Sequence, residues 1–159
     1  MQETIELDGF DTKLLAALQN DGRLANQDLA DKVGLSASQC SRRRTRLEAL
    51  GLIAGYHARL DERKLGFGVI AFIQVTLARH SRDNARRFAE LIAREPAIQQ
   101  AFAVTGDADY LLRVIATDLA ALSRLVSDIL LAHESVAQVR SSIALDRLKD
   151  TLHVPAVGG

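Results

Sequence analysis

Between Ser36 and Arg59 the chain carries Arg42, Arg43, Arg44, Arg46 and Arg59 against one acid, Glu48. Guanidinium groups at this density neutralise phosphates, and each planar fork can also chelate a guanine edge, so the chemistry on offer is recognition of duplex DNA. Ser36, Ser38, Gln39 and Ser41 place small hydrogen-bonding groups at the start of the same segment, where base edges are reached. Upstream the balance inverts: across residues 1–35, Lys13, Arg23 and Lys32 face Glu3, Glu6, Asp8, Asp11, Asp21, Asp28 and Asp31. Over all 159 residues twenty basic side chains match twenty acidic ones, which excludes a chain-wide basic coat and leaves only a local patch. On charge alone the run reads equally as a solvated helix face. The candidate DNA contacts are Ser36, Ser38, Gln39, Ser41, Arg42, Arg43 and Arg46.

A second constellation is Gly106-Asp107-Ala108-Asp109 before Tyr110. Glycine permits a sharp turn and close approach of a ligand. Exposed amides in such a turn can hold a carboxylate, and Asp107 or Asp109 can pair with an ammonium. The other reading is a polar hairpin turn whose aspartates are solvated or cap backbone amides. Catalysis has no comparable signal. His57, His80, His133 and His153 are scattered without metal-ligand spacing, and Tyr110 and the aspartates lack an acid/base partner. Cys40 is the single cysteine, so neither a disulfide nor a cysteine metal site can form, and it reads as a small core residue on a stripe with Leu47 and Leu50. The expectation is no enzyme, no cofactor and no metal.

The elements that position these residues follow from capping and periodicity. Asp8 can cap a helix bearing Leu14, Leu15 and Leu18; Asn26 can cap a short one bearing Leu29, Ala30 and Val33, stopped by Gly34. Ser36 caps a third helix to about Leu50, ended by Gly51. A connection as short as Gly34-Leu35-Ser36 forces the last two helices to cross steeply, a helix-turn-helix. Residues 53–60 read as extended, and 61–64 as a charged hinge. From Phe67 to Leu77 apolar residues recur with period two, with Ile70 and Phe72 apolar in the opposite register. A helix with Ala85, Phe88, Ala89 and Ile92 follows, then strands at 98–105 and 110–117. A helix capped by Asp118 carries Leu119, Leu122, Val126 and Ile129, and a strand at 136–145 closes the pattern. The order β-α-β-β-α-β is ferredoxin-like, an α+β fold with both helices on one sheet face. Ile70 and Phe72 on the bare face then need cover, and a second copy of the sheet is the simplest candidate.

The acidic start of the chain has no signal-peptide pattern, and the longest uncharged stretch, 65–78, is too short for a bilayer. The expectation is a cytoplasmic protein with no membrane partner. Its expected organisation is a DNA-binding domain at 1–60, a hinge at 61–66, a ferredoxin-like domain at 67–152 and a tail at 153–159.

The chain resembles the Lrp/AsnC, or feast/famine, transcriptional regulators over nearly its whole length. The resemblance is carried by Leu7-Asp8, Asp11, Leu14-Leu15, Asp21-Gly22-Arg23, Leu29-Ala30, Val33-Gly34-Leu35-Ser36, Arg43, Leu47-Glu48 and Gly51-Leu52-Ile53. It continues in Val104-Thr105-Gly106-Asp107-Ala108-Asp109-Tyr110-Leu111-Leu112, Val139-Arg140-Ser141-Ser142 and Lys149. The Gly-Asp-x-Asp-Tyr-Leu-Leu run is similar to the leucine-responsive branch. The resemblance implies a winged helix-turn-helix followed by a ferredoxin-like module that pairs through its sheet. It also implies dimers that assemble into tetramers or octamers and bind an amino-acid effector where dimers meet. Carried over, Thr105, Gly106, Asp107, Asp109 and Tyr110 would form one wall of that site, and Ser141 and Ser142 another. Arg44 and Ser41 depart from the family pattern, standing where aliphatic residues are usual. Arg44 therefore falls on or beside the inward stripe, with its guanidinium directed to an acid or to a phosphate. The implied function is a sequence-specific DNA-binding regulator responding to a small effector. The alternatives are a nucleoid-type DNA-wrapping protein, or a metabolite-binding module or enzyme on the ferredoxin-like half.

Overall fold

Asp8 starts the first helix because its carboxylate answers amides that a helix beginning leaves open. Oδ1 accepts from the N–H of Phe10 at 2.9 Å and of Asp11 at 2.8 Å, and Asp11 accepts in return from the Asp8 N–H at 3.3 Å. In the computed structural model, which describes residues 5–78 and 81–155, this capping box opens α1, Gly9–Asn20. His80, the first four residues and most of the expected tail lie outside the described residues. α2 is Asn26–Val33 and ends at Gly34 with φ +77°. α3, Ala37–Ala49, opens on the reciprocal Ser36–Gln39 capping box and is followed by Gly51 at φ +73°.

Leu14, Leu18, Leu29, Ala30, Val33, Cys40 and Leu47 close one core among the three helices. Burial pushes the Cys40 thiol above its ordinary pKa, as befits a core residue. Leu50, expected on that stripe, is 43% exposed because it caps the helix beyond the last packed turn. Asn26 is not the cap of α2 but its first residue: the chain enters from Ala25, and Asn26 Oδ1 is buried without a partner among the described residues. Residues 54–60 belong to no helix or strand, and among the described residues no strand follows α3 in this unit. The chain from Lys149 returns to the same compact unit as residues 1–59. There the Gln19 amide brackets Val154, donating to its C=O at 2.9 Å and accepting from its N–H at 2.7 Å, and Arg59 pairs with Asp150.

Leu60–Leu148 forms the second compact unit. Its strands are β1, Val69–Leu77; β2, Ile98–Ala103; β3, Tyr110–Ala116; and β4, Val136–Ile143. They make one antiparallel sheet in the order β2-β3-β1-β4. β4 stops short of the expected Leu145 because β1, its partner, begins only at Val69; the last bond is Ala144 N–H to the Ile70 carbonyl. α4, Arg82–Arg94, and α5, Leu119–Arg124, cover one face, where Ala71, Ile73, Val75 and Leu77 meet Phe88, Leu112, Val114 and Leu122. α5 passes into a π-helical turn, Leu125–Leu130, marked by the i→i+5 bond from Leu131 N–H to the Val126 carbonyl. The wider turn brings Leu125 and Leu130 into the core and leaves Val126 and Ile129 partly buried; Leu119, the first residue of α5, is exposed.

The opposite face carries Ile70 and Phe72 of β1, Leu111, Arg113 and Ile115 of β3, and Phe102 of β2, by the pairing register. Phe72 is 41% and Phe102 53% exposed. Glu62 partly covers it, accepting from Arg113 at 2.7 Å and from Arg147 at 2.6 Å. Arg113 first, then Arg147, holds the Glu62 carboxyl below its ordinary pKa. A depressed folded-state pKa makes the contribution full above the unfolded value of about 4.3 and removes it as pH falls through the folded value. The stability of this unit should therefore drop on acidification below about pH 4.3, and Glu62→Gln should flatten that dependence in a circular-dichroism pH titration. An unchanged acid limb in the variant would assign the loss to other carboxylates.

Candidate DNA interface and effector turn

α3 sorts its side chains into three sectors. Cys40 and Leu47 point into the core. Arg43 and Arg46 turn toward the start of α1. The Arg43 Nη1 donates to Asp8 Oδ2 and to Asp11 Oδ1, both at 2.8 Å, and the Arg46 Nη1 donates to Asp11 Oδ2 at 3.1 Å. Arg46 also donates to the Glu6 carbonyl at 3.2 Å. Asp11 is only 2% exposed, so its charge is compensated by two guanidinium groups and one backbone amide. The third sector is open: Ser38, Arg42, Thr45 and Ala49 recur at helical spacing and are all exposed, with Gln39 beside them and Ser41 half-buried. Arg42 forms no ion pair among the described residues.

The seven expected DNA contacts are thus divided. Ser36 and Gln39 spend their side chains on the capping box, Ser38, Ser41 and Arg42 lie on or beside the open stripe, and Arg43 and Arg46 are held by carboxylates. Thr45 shares this exposed stripe, three residues after Arg42 and seven after Ser38, the spacing of one helical face. Arg44 reaches neither the core nor open solvent. It donates to the Tyr56 hydroxyl at 2.9 Å, the Leu24 carbonyl at 3.0 Å and Glu48 at 3.3 Å, with its guanidinium 4.7 Å from the Tyr56 ring centroid.

In the second unit the residues 104–109 form a turn fastened at its base. Val104 N–H donates to the Asp109 carbonyl at 3.0 Å, Asp109 N–H to the Val75 carbonyl at 3.0 Å, and Leu77 N–H to Asp109 Oδ2 at 2.7 Å. Asp109 is therefore a latch between the turn and β1. Tyr110 packs inward, its ring centroid 4.9 Å from that of Phe88. Thr105, Gly106 and Asp107 stay exposed. Gly106 has φ +113°, a backbone that an L side chain rarely adopts, with nothing within 4 Å of an added Cβ. Gly106→Val should cost about 1–3 kcal/mol through backbone strain rather than collision, read as a lowered thermal midpoint. An unshifted midpoint would mean that the turn relaxes freely.

Ser141 and Ser142 do not join this turn within one protomer. They lie on β4 opposite Ile73 and Phe72, on the far side of β1 from β3, and as neighbours in a strand they point to opposite faces. Two strand spacings and two to three residues of rise separate them from the turn, on the order of 10 Å or more.

Comparison with known proteins matches these two halves separately. Residues 7–48 fit the AsnC-type helix-turn-helix domain, and residues 70–154 the Lrp/AsnC ligand binding domain. A leucine-responsive regulatory protein of Rhizobium meliloti is 40% identical over 150 residues, covering 94% of this chain and 96% of that one. The Bkd operon transcriptional regulator of Pseudomonas aeruginosa is 45% identical over 140 residues, covering 88% and 92%. Among solved structures, a transcriptional regulator of Neisseria meningitidis in complex with L-Met superposes with a TM-score of 0.91 at 40% identity, covering 94% of this chain and 96% of that one. With a helix-turn-helix presenting an open, arginine-bearing stripe and a ligand-binding module behind it in sequence, the chain belongs to the Lrp/AsnC family of DNA-binding transcriptional regulators and is not an enzyme.

Proposed function

We propose that this regulator responds to an amino acid held at the Gly106 turn where protomers meet. In this reading it works in the cytoplasm as at least a dimer, paired through the bare sheet face and assembled further into tetramers or octamers. The observation that carries the reading is the incompleteness of the effector site in a single chain. One wall, Thr105, Gly106 and Asp107 on a turn anchored by Asp109 and backed by Tyr110, faces solvent. The candidate second wall, Ser141 or Ser142, which point to opposite faces of β4, lies across the sheet. A neighbouring protomer is what can bring a second wall to the first. The turn amides suit a carboxylate and Asp107 an ammonium, and the Neisseria relative with L-Met supports an amino acid as the ligand.

In the first unit α3 enters the major groove. Ser38, Ser41 and Arg42 address base edges with Thr45 alongside, Ser36 and Gln39 fix the helix start, and Arg43 and Arg46 flank the contact toward the backbone. A paired protein reads half-sites about 34–36 Å apart, or a multiple of that. The effector acts by linkage: it favours one assembly over another, and the spacing of the heads follows. A thermal-shift series on the full chain with the twenty amino acids tests the effector. At a concentration 100 times its Kd a true ligand adds about 2.7 kcal/mol of stability. One or a few amino acids should raise the midpoint, and the same ones should fail with Gly106→Val. No shift with any of them refutes the effector assignment.

A further inference from the structure

The junction of α1 and α3 is built like an anion site whose anion is supplied by the chain itself. Arg43 divides the two N–H groups of one nitrogen between carboxylates of opposite character: Asp11, whose side chain is 3% exposed, and Asp8, whose side chain is 50% exposed. Phe10 sits beneath, its ring centroid 5.6 Å from the Arg43 guanidinium carbon and 5.9 Å from Lys13 Nζ, while Arg46 shares Asp11 from the next turn of α3. The buried carboxylate and the aromatic face hold the guanidinium in place, and the remaining donors of Arg43 bond to nothing among the described residues. Arg43 is thus the cation on the replaceable carboxylate, with Lys13 over the same Phe10 ring and Arg46 on the buried Asp11, inside the segment that matches the helix-turn-helix domain.

We propose that the Asp8–Arg43 pair is an exchange site for a DNA backbone phosphate: on binding, the phosphate takes the Arg43 N–H that Asp8 holds in the free protein, and Asp11 keeps the guanidinium where it is. The exchange costs the fold little. Asp8 caps α1 with Oδ1 and pairs with Arg43 through Oδ2, so the cap survives release of the arginine. An exposed ion pair of this kind is weak, whereas a phosphate offers a planar fork two oxygens and releases counterions from the duplex. The proposal rests on the reading that α3 faces duplex DNA.

The test uses the full chain and a random-sequence 30-bp duplex at low salt, a probe that reads backbone contacts alone. Asp8→Asn removes the competing charge yet keeps a good capping oxygen. It should tighten binding on the order of threefold to tenfold and steepen the dependence of log K on log salt by up to about one per protomer, because released Asp8 no longer takes up a cation. In an Arg43→Gln background the gain should vanish. An equal gain in both backgrounds, or no gain in the first, overturns the exchange. If Arg43→Gln does not fold, Asp21→Asn replaces it as the comparison: Asp21 pairs with an exposed arginine on the same unit, and an equal gain there overturns the proposal too. Failure of the unmodified protein to bind any duplex would sink the reading of α3 along with the exchange, whereas binding without an Asp8→Asn gain sinks the exchange alone.

Discussion

Asp11→Ala is expected to destabilise the three-helix unit by about 3–5 kcal/mol, the usual cost of removing one partner from a buried charge cluster. The carboxylate is 2% exposed and takes hydrogen bonds from Arg43, Arg46 and the Asp8 amide. Alanine leaves the Arg43 guanidinium, whose side chain is only a quarter exposed, with Asp8 as its one remaining carboxylate and removes the reciprocal half of the α1 capping box. Single domains are stable by only about 5–15 kcal/mol, so such a loss consumes much of the margin. Urea unfolding followed by helical circular dichroism measures it, with Asp21→Ala, at an exposed pair, as the comparison. Equal midpoints for the two variants would show that the cluster is dispensable. The same argument redirects mutagenesis of the interface. Arg43→Ala confounds folding with DNA contact, whereas Arg42→Ala, on the open stripe, isolates contact.

The second large effect is expected at the bare sheet face. Phe72→Glu should reduce the mass in solution to the 17.3 kDa of one chain. It should also weaken binding to a two-half-site duplex by about 100-fold or more, the avidity that linked heads supply. Phe72 is 41% exposed in the middle of β1, with Ile70 beside it and Arg113 opposite. In a two-fold pairing every substitution occurs twice, so two carboxylates would replace two rings in one seam where the Arg113 charge is already matched by Glu62. Light scattering and anisotropy on the same sample read both quantities. A variant that keeps the mass of the unmodified protein would place the pairing surface elsewhere.

What was legible in the sequence was local chemistry. Asp8, Ser36 and Asp118 cap helices by bonds to amides two or three residues away, and Gly34 and Gly51 end them in left-handed backbone. The alternation in β1 shows which residues face the helices. What was not legible depends on juxtaposition or on register. The partners of Arg43 and Arg46 lie 32 and 35 residues away on another helix; the acidic excess around Asp8 and Asp11 was the signal that these arginines need not be free. The π turn after α5 keeps an apolar stripe that looks α-helical until the i→i+5 bond shifts it. The opposition of Ser141 and Ser142 follows from the period of a strand, yet the family likeness grouped them on one wall. Arg44 is explained only when Tyr56, twelve residues on, folds back under its guanidinium.

The most direct measurement is the affinity of the full chain for a duplex that the protein itself selects from a random pool, taken with each amino acid in turn. Two compact units, one with an open stripe carrying Arg42 and one with an exposed, anchored turn, predict that at least one amino acid changes Kd by fivefold or more, a coupling of about 1 kcal/mol. The same Kd in all twenty would contradict an effector-driven regulator.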